Sequence, residues 1–177
     1  MVKRTIMIFP EFDNIDSIDR IRSKNDPLAE LVRPHITLVF PFESDITNDD
    51  IRNVLDTRLE EIRKFNLTLH GFSKQIDEKF GNSLFLNVTG GYDEIVKIHD
   101  ILYANEFKRF DAGYPYIPHM TVGKLPTVGE LNKAYDDALS CTEVFSTQVT
   151  KISVEMIGEH EESIIIIEKE LTLAAMI

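Results

Sequence analysis

Along this chain apolar residues alternate with polar ones in some stretches and recur every three or four positions in others. The two periods predict strands and helices respectively. Thr5 to Phe9 is strand-like. Phe12, Ile15, Ile18 and Ile21 then recur among Asp and Arg, which predicts a short amphipathic helix ended by Lys24-Asn25-Asp26-Pro27. Behind Pro34, His35-Ile36-Thr37-Leu38-Val39-Phe40 predicts a second strand, closed by Pro41. Thr47 with Asp50 resembles a capping box, and Ile51, Val54, Leu55, Leu59 and Ile62 form one helical stripe behind it. Phe65, Leu67 and Leu69 alternate with Asn66, Thr68 and His70, a half-buried strand with His70 at its solvent end.

The second half repeats this order. Ser83 to Val88 is a strand, and a helix from about Tyr92 to Phe107 carries Ile95, Ile98 and Leu102 on one face. Pro118 introduces the strand His119-Met120-Thr121-Val122-Gly123-Lys124. Thr127 and Glu130 make a capping box before Leu131, Ala134 and Ala138. A strand around Val149 to Met156 and a closing strand, Ser163 to Ile167, complete the chain. Strand, helix, strand, helix, strand therefore occurs twice. The approximate structural repeats are 1–75 and 82–177 within one domain, 1–177, with no linker between them.

Each middle strand carries His-x-Thr directly behind a proline. Side chains i and i+2 of a strand share a face. His35 and Thr37 thus face one way and Ile36 and Leu38 the other; His119 and Thr121 stand likewise opposite Met120 and Val122. Two imidazoles and two hydroxyls on one cleft suit phosphodiester chemistry. Histidine titrates near neutrality, so one ring accepts a proton from attacking water while the other donates one to the departing oxygen. Threonine hydroxyls stabilise charge on the non-bridging oxygens. A lone His-x-Thr is common by chance; two copies at matching points of a repeated topology are not. No spacing of His, Asp, Glu or Cys suggests a metal site, and no metal or other cofactor is expected.

Composition narrows the partners. Thirty acidic against nineteen basic residues give a net charge of -11. That argues against binding along duplex DNA, which needs a positive field to displace counterions, and does not exclude a small nucleotide or an RNA end held in a local pocket. Cys141 is the single cysteine, so no intrachain disulfide forms and a reducing cytoplasm fits best. No segment has the length of apolar sequence that a membrane span requires, and a monomer is expected.

His35-Ile36-Thr37-Leu38 and His119-Met120-Thr121-Val122 resemble the paired H-x-T-x signatures of the two-histidine (2H) phosphoesterase superfamily, which includes 2′-5′ RNA ligase-like proteins and cyclic phosphodiesterases. The resemblance spans most of the chain. It implies an α+β, bilobal fold: two pseudo-symmetric lobes, each with an antiparallel sheet and flanking helices, around a central cleft. It also implies His35 and His119 as the catalytic pair and Thr37 and Thr121 as phosphate-binding residues. The implied activity is metal-independent hydrolysis of a 2′,3′-cyclic phosphate or a 2′-5′ linkage. A nucleotide sensor without turnover, an RNA 2′-5′ ligase and a zinc hydrolase are the alternatives.

Other residues are candidates for lining the substrate. Phe9, Phe42 and Tyr116 flank the motif strands, where a base can stack on an aromatic face. Lys124 falls on the opposite parity from His119 and reaches a phosphate only if the strand bulges near Gly123. Arg33 is a loop residue with equal claim to solvent. His70, His99 and His160 have no partner in a repeated position and are read as structural.

Overall fold

In the computed structural model, which describes residues 1–173, the alternating stretches form eight strands and the periodic stretches four α-helices. The order is β1 (Val2–Ile8), α1 (Ile15–Asn25), β2 (Ile36–Ser44), α2 (Asn48–Arg58), β3 (Phe65–Asp77), β4 (Gly81–Gly90), α3 (Tyr92–Tyr103), β5 (His119–Leu125), α4 (Val128–Ala138), β6 (Phe145–Val149), β7 (Lys151–Ile157) and β8 (Ser163–Glu170). The strands make one sheet in the order β6-β3-β4-β5-β2-β1-β7-β8, and every neighbouring pair is antiparallel. The chain thus has the expected α+β class. Among the described residues no helix is long and apolar enough to cross a membrane.

Local chemistry sets the helix ends. Thr47 caps α2 by accepting from the Asp50 amide at 3.1 Å while its hydroxyl donates to the Asp50 carboxylate at 2.7 Å. Thr127 does the same for α4 with Glu130, at 3.1 and 2.8 Å. Such caps satisfy amides that the helix itself leaves unpaired. Gly91 begins α3 with φ +79°, and a Cβ there would lie 2.5 Å from the Asn66 carbonyl oxygen, so only glycine fits.

Several predicted boundaries move. Strand β3 does not end at His70 but passes through Gly71 to Asp77, because β4 continues beside it as far as Gly81. The strand expected around Val149 to Met156 is β7, which starts at Lys151, and a strand not expected from the sequence, β6, precedes it; β6 pairs with β3 and β7 with β1. Helix α3 stops at Tyr103, and Phe107 instead leads into a 3₁₀ turn at Lys108–Phe110.

Where β3 lies matters most for the site. It follows β1 and β2 in the chain yet pairs with β4 and β6 on the other side of the sheet. The halves β6-β3-β4-β5 and β2-β1-β7-β8 meet where β5 and β2 are joined by one residue pair, Ile36 and Met120. The helices and the apolar sheet face share one core. Ile36, Leu38, Met120 and Val122 are each wholly buried in it. Burying four such side chains contributes roughly 6–12 kcal/mol. A one-residue slip of either strand would expose its apolar pair and bury its histidine and threonine, so this core holds the polar face in register.

Candidate active site

Because Ile36 is paired with Met120 in an antiparallel register, His35 lies opposite Thr121 and Thr37 opposite His119. The four side chains form a crossed square at the seam of the sheet, each half-buried on the face away from the core. The histidines occupy one diagonal, for which cross-strand geometry gives a backbone spacing of roughly 7–8 Å. They are close enough for a positive charge on His35 to lower the pKa of His119.

Both rings are held by the same local device. His35 Nδ1 lies 2.8 Å from the carbonyl oxygen of Arg33, and His119 Nδ1 lies 2.7 Å from that of Ile117, each two residues upstream. A carbonyl only accepts, so Nδ1 carries the proton of the neutral ring and Nε2 keeps the lone pair. Each histidine is therefore set to take or give a proton at Nε2. Burial is the main influence on both and pushes their pKa values below the ordinary 6.5, with the carbonyl contacts opposing it.

Neighbouring elements hold the rings. Phe85 on β4, the strand beside β5, stacks on His119 with centroids 3.7 Å apart and planes 28° apart. Phe9 meets His35 edge-on at 6.0 Å, and the Arg33 guanidinium lies over the Phe9 ring at 4.7 Å. Behind His35, Arg22 and Asp26 of the α1 terminus make an ion pair at 2.9 Å with side chains only 1% and 5% exposed. The Arg22 charge lowers the His35 pKa and the Asp26 charge raises it.

The remaining candidates divide. Tyr116 is an anchor: its hydroxyl donates to the Thr37 carbonyl at 2.7 Å and its ring stacks on His99 at 3.7 Å, fixing the approach to β5 against β2. Burial raises its phenol pKa well above the ordinary value, so it stays protonated. Phe42 does not line the site. It is 4% exposed and packs in the core against Phe107 and Phe110, at 5.2 and 4.8 Å between ring centres. Of the apolar stretch after the first motif, Val39 and Phe42 are buried in the core while Phe40 and Pro41 are exposed.

Lys124 is on the site face, against the parity of a regular strand. Phe85 pairs with Thr121 but Leu84 pairs with Gly123, so β5 holds one extra residue there. This bulge turns Lys124 to the side of Thr121. Its ammonium donates to the Phe80 carbonyl at 2.6 Å, burial lowers its pKa, and its charge lowers that of His119. His70 and His160 are exposed and distant in the topology, and Cys141 is a free, half-buried thiol.

Phe85, Arg22 and Asp26 carry no motif. The alternation of Leu84, Leu86 and Val88 places Phe85 on the polar face, but only the pairing of β4 with β5 puts it against His119. A cavity of about 840 Å³ beside α1 holds Phe9 and Arg33 and none of the four motif side chains. A smaller one of about 210 Å³ is lined by His35 and Thr37. Among the described residues no group of three or more His, Cys, Asp or Glu is placed to hold a metal ion.

Comparison with known proteins identifies the family of the chain. A family model described as the 2′-5′ RNA ligase superfamily matches residues 10–158. A Bacillus mycoides (strain KBAB4) protein bearing a phosphoesterase name is 32% identical over 124 residues, 70% of each chain. A similarly named protein from Oceanobacillus iheyensis is 28% identical over 130 residues, 70% of this chain and 71% of its own. Among solved structures, E. coli LigT complexed with 3′-AMP superposes with a TM-score of 0.65 over 97% of this chain and 98% of its own, at 14% identity. A Thermus thermophilus protein superposes with a TM-score of 0.63 over the same shares, also at 14% identity. These two likenesses are of fold.

Proposed function

This chain belongs to the 2′-5′ RNA ligase superfamily and is a phosphoesterase of the two-histidine type, and from that premise we propose that it hydrolyses a 2′,3′-cyclic phosphate, or a 2′-5′ phosphodiester, at a nucleotide or RNA terminus. The observation that carries this reading is the crossed square of His35, Thr37, His119 and Thr121 around the Ile36–Met120 pair.

The reaction needs only what these residues supply. The phosphate sits between the rings, with the Thr37 and Thr121 hydroxyls donating to its non-bridging oxygens. One neutral imidazole takes a proton from water through Nε2 as the water oxygen bonds to phosphorus. The phosphorus–oxygen bond to the ribose oxygen breaks, and the other histidine, protonated, delivers its Nε2 proton to that oxygen. Turnover leaves the two protonation states exchanged, and solvent restores them. The same upstream carbonyl contact holds both rings with Nε2 free, so each presents the atom that either role requires. Hydroxyl donors that tighten on the more highly charged transition state supply electrostatic stabilisation, and Lys124 adds a positive field.

Nucleotide chemistry is supported from two sides. A net charge of -11 suits a small substrate held in a local pocket rather than a long nucleic acid lying on the surface. E. coli LigT, which shares the fold, has been crystallised with 3′-AMP, ATP and NADP+. Hydrolysis is favoured over ligation because water is abundant, whereas joining requires a second hydroxyl held in place.

The test is turnover of nucleoside 2′,3′-cyclic phosphates and 2′-5′ dinucleotides, with products identified by phosphorus NMR. His35→Ala and His119→Ala should each lower kcat by on the order of 10²–10⁴, and EDTA should leave the wild-type rate unchanged. Full activity in both variants would refute the assignment, and efficient RNA joining without opening of any cyclic phosphate would refute the reaction.

A further inference from the structure

The cavity of about 210 Å³ that His35 and Thr37 line extends away from the seam toward β1 and β7. Met7 of β1 pairs with Thr37, and Thr5, two residues earlier, lies directly opposite Glu155 of β7. Thr5 and Glu155 therefore share the sheet face of the histidines, and both line this cavity. Each is only 3% exposed. The Thr5 hydroxyl and the Glu155 Oε2 atom have no hydrogen-bond partner among the described residues.

Two adjacent polar groups in this state are an anomaly. Buried polar atoms are almost always paired, and leaving one unpaired is destabilising, more so for a charged group. Burial accordingly raises the Glu155 pKa, and a hydrogen bond from Ser163 opposes it only in part. Most of the other walls are apolar, namely Met7, Leu28, Val32, Pro41 and Ile157, with the exposed Lys3 and Glu161 completing the lining. Apolar sides over a floor with a few unpaired polar atoms are what a planar heterocycle requires of a binding pocket.

We propose that this cavity is a nucleobase subsite selective for guanine, with Glu155 and Thr5 reading the base edge while the phosphate lies at the two histidines. The inference rests on the phosphoesterase reading above and specifies its substrate. An ionised carboxylate only accepts hydrogen bonds. Guanine presents a ring N–H and an exocyclic amino group side by side, with a carbonyl next to them that accepts from a hydroxyl. Adenine and cytosine each set one donor beside an acceptor, and uracil sets its single N–H between two carbonyls. Guanine alone offers two donors to the carboxylate and an acceptor to the hydroxyl, three hydrogen bonds where adenine, cytosine and uracil make two.

The four nucleoside 2′,3′-cyclic phosphates, compared by kcat/KM, test this on the unaltered protein. Guanosine should be preferred by roughly 10- to 100-fold, the discrimination one bidentate base contact provides. Glu155→Gln, nearly the same shape, should remove that preference by lowering the guanosine value alone; Thr5→Val should reduce it less. Equal rates on all four substrates, or a Glu155→Gln variant that keeps the guanosine preference or slows all four alike, would overturn the subsite and leave the phosphoesterase reading standing. Calorimetry with guanosine 3′-monophosphate against the adenosine equivalent separates the two ideas. Guanosine-selective binding that Glu155→Gln abolishes, with no turnover of any cyclic phosphate, would uphold the subsite and refute the reaction. Neither binding preference nor turnover would refute both.

Discussion

Gly123 is where the packing of α1 and the presentation of Lys124 depend on one missing methyl group. A Cβ at this position would lie 3.1 Å from the Asn25 Cβ on α1, 3.1 Å from Leu125 Cδ2 and 3.2 Å from the Leu84 Cβ of the adjacent strand. Two of the three neighbours are Cβ atoms fixed to backbone, so the new methyl group is gripped between a helix and a strand and neither can rotate away. Overpacking of this kind costs about 1–3 kcal/mol. For a chain of this length that corresponds to a fall in Tm of roughly 2–4 °C per kcal/mol. Gly123→Ala should therefore unfold at a temperature lower by roughly 2–12 °C. Relief by moving β5 would also disturb the bulge that turns Lys124 toward Thr121 and would shift α1, which ends in the Arg22–Asp26 pair behind His35. A reduced kcat should accompany the lower Tm. The control is Gly129→Ala within α4, where the new Cβ meets nothing closer than the Thr127 Oγ1 at 3.9 Å. Gly129 lies in the first turn of α4, where replacing glycine by alanine at a compatible backbone position should raise stability by about 0.4–1 kcal/mol. Differential scanning calorimetry and steady-state kinetics on the two variants supply the measurements. If Gly123→Ala melts at or above the wild-type temperature with unchanged kcat, the close approach of α1 to β5 does not hold the site.

Three further outcomes follow from the electrostatics. Both histidines have pKa values lowered by burial, and the reaction needs one ring neutral and one protonated, so kcat/KM should be bell-shaped with its maximum below pH 6.5; a maximum above about pH 7.5 would contradict the burial argument. The same shift bears on stability: below pH 6.5 the unfolded chain binds protons more readily than the folded one, so stability present above that pH should be lost as pH falls toward the lowered folded-state values, as urea titrations at several pH values would show. Asp26→Asn leaves the Arg22 guanidinium buried without its carboxylate, and breaking a buried pair in this way costs about 3–5 kcal/mol. Because the Asp26 charge raises the His35 pKa, the variant should also move the His35 titration, followed by NMR, to lower pH; a move to higher pH would show that Asp26 does not act on the ring through its charge.

Whatever depends on neighbours along the chain was legible in the residues. Period-two alternation placed His35 with Thr37 and His119 with Thr121 on the face away from the core, and Thr47 and Thr127 marked where α2 and α4 begin. These properties belong to one element at a time, since a strand or a cap imposes its geometry on residues two or three positions apart. What lies across the sheet was not legible. The crossing of β3 to pair with β4, the stacking of Phe85 on His119, the turning of Phe42 into the core, the bulge that redirects Lys124 and the facing of Thr5 and Glu155 all depend on which strands become neighbours and in what register. Those choices are made by the total burial of apolar surface shared among all the strands and helices at once. That quantity belongs to no local stretch of sequence, so the residues of the His-x-Thr motifs name the chemistry while the packed sheet decides what surrounds it.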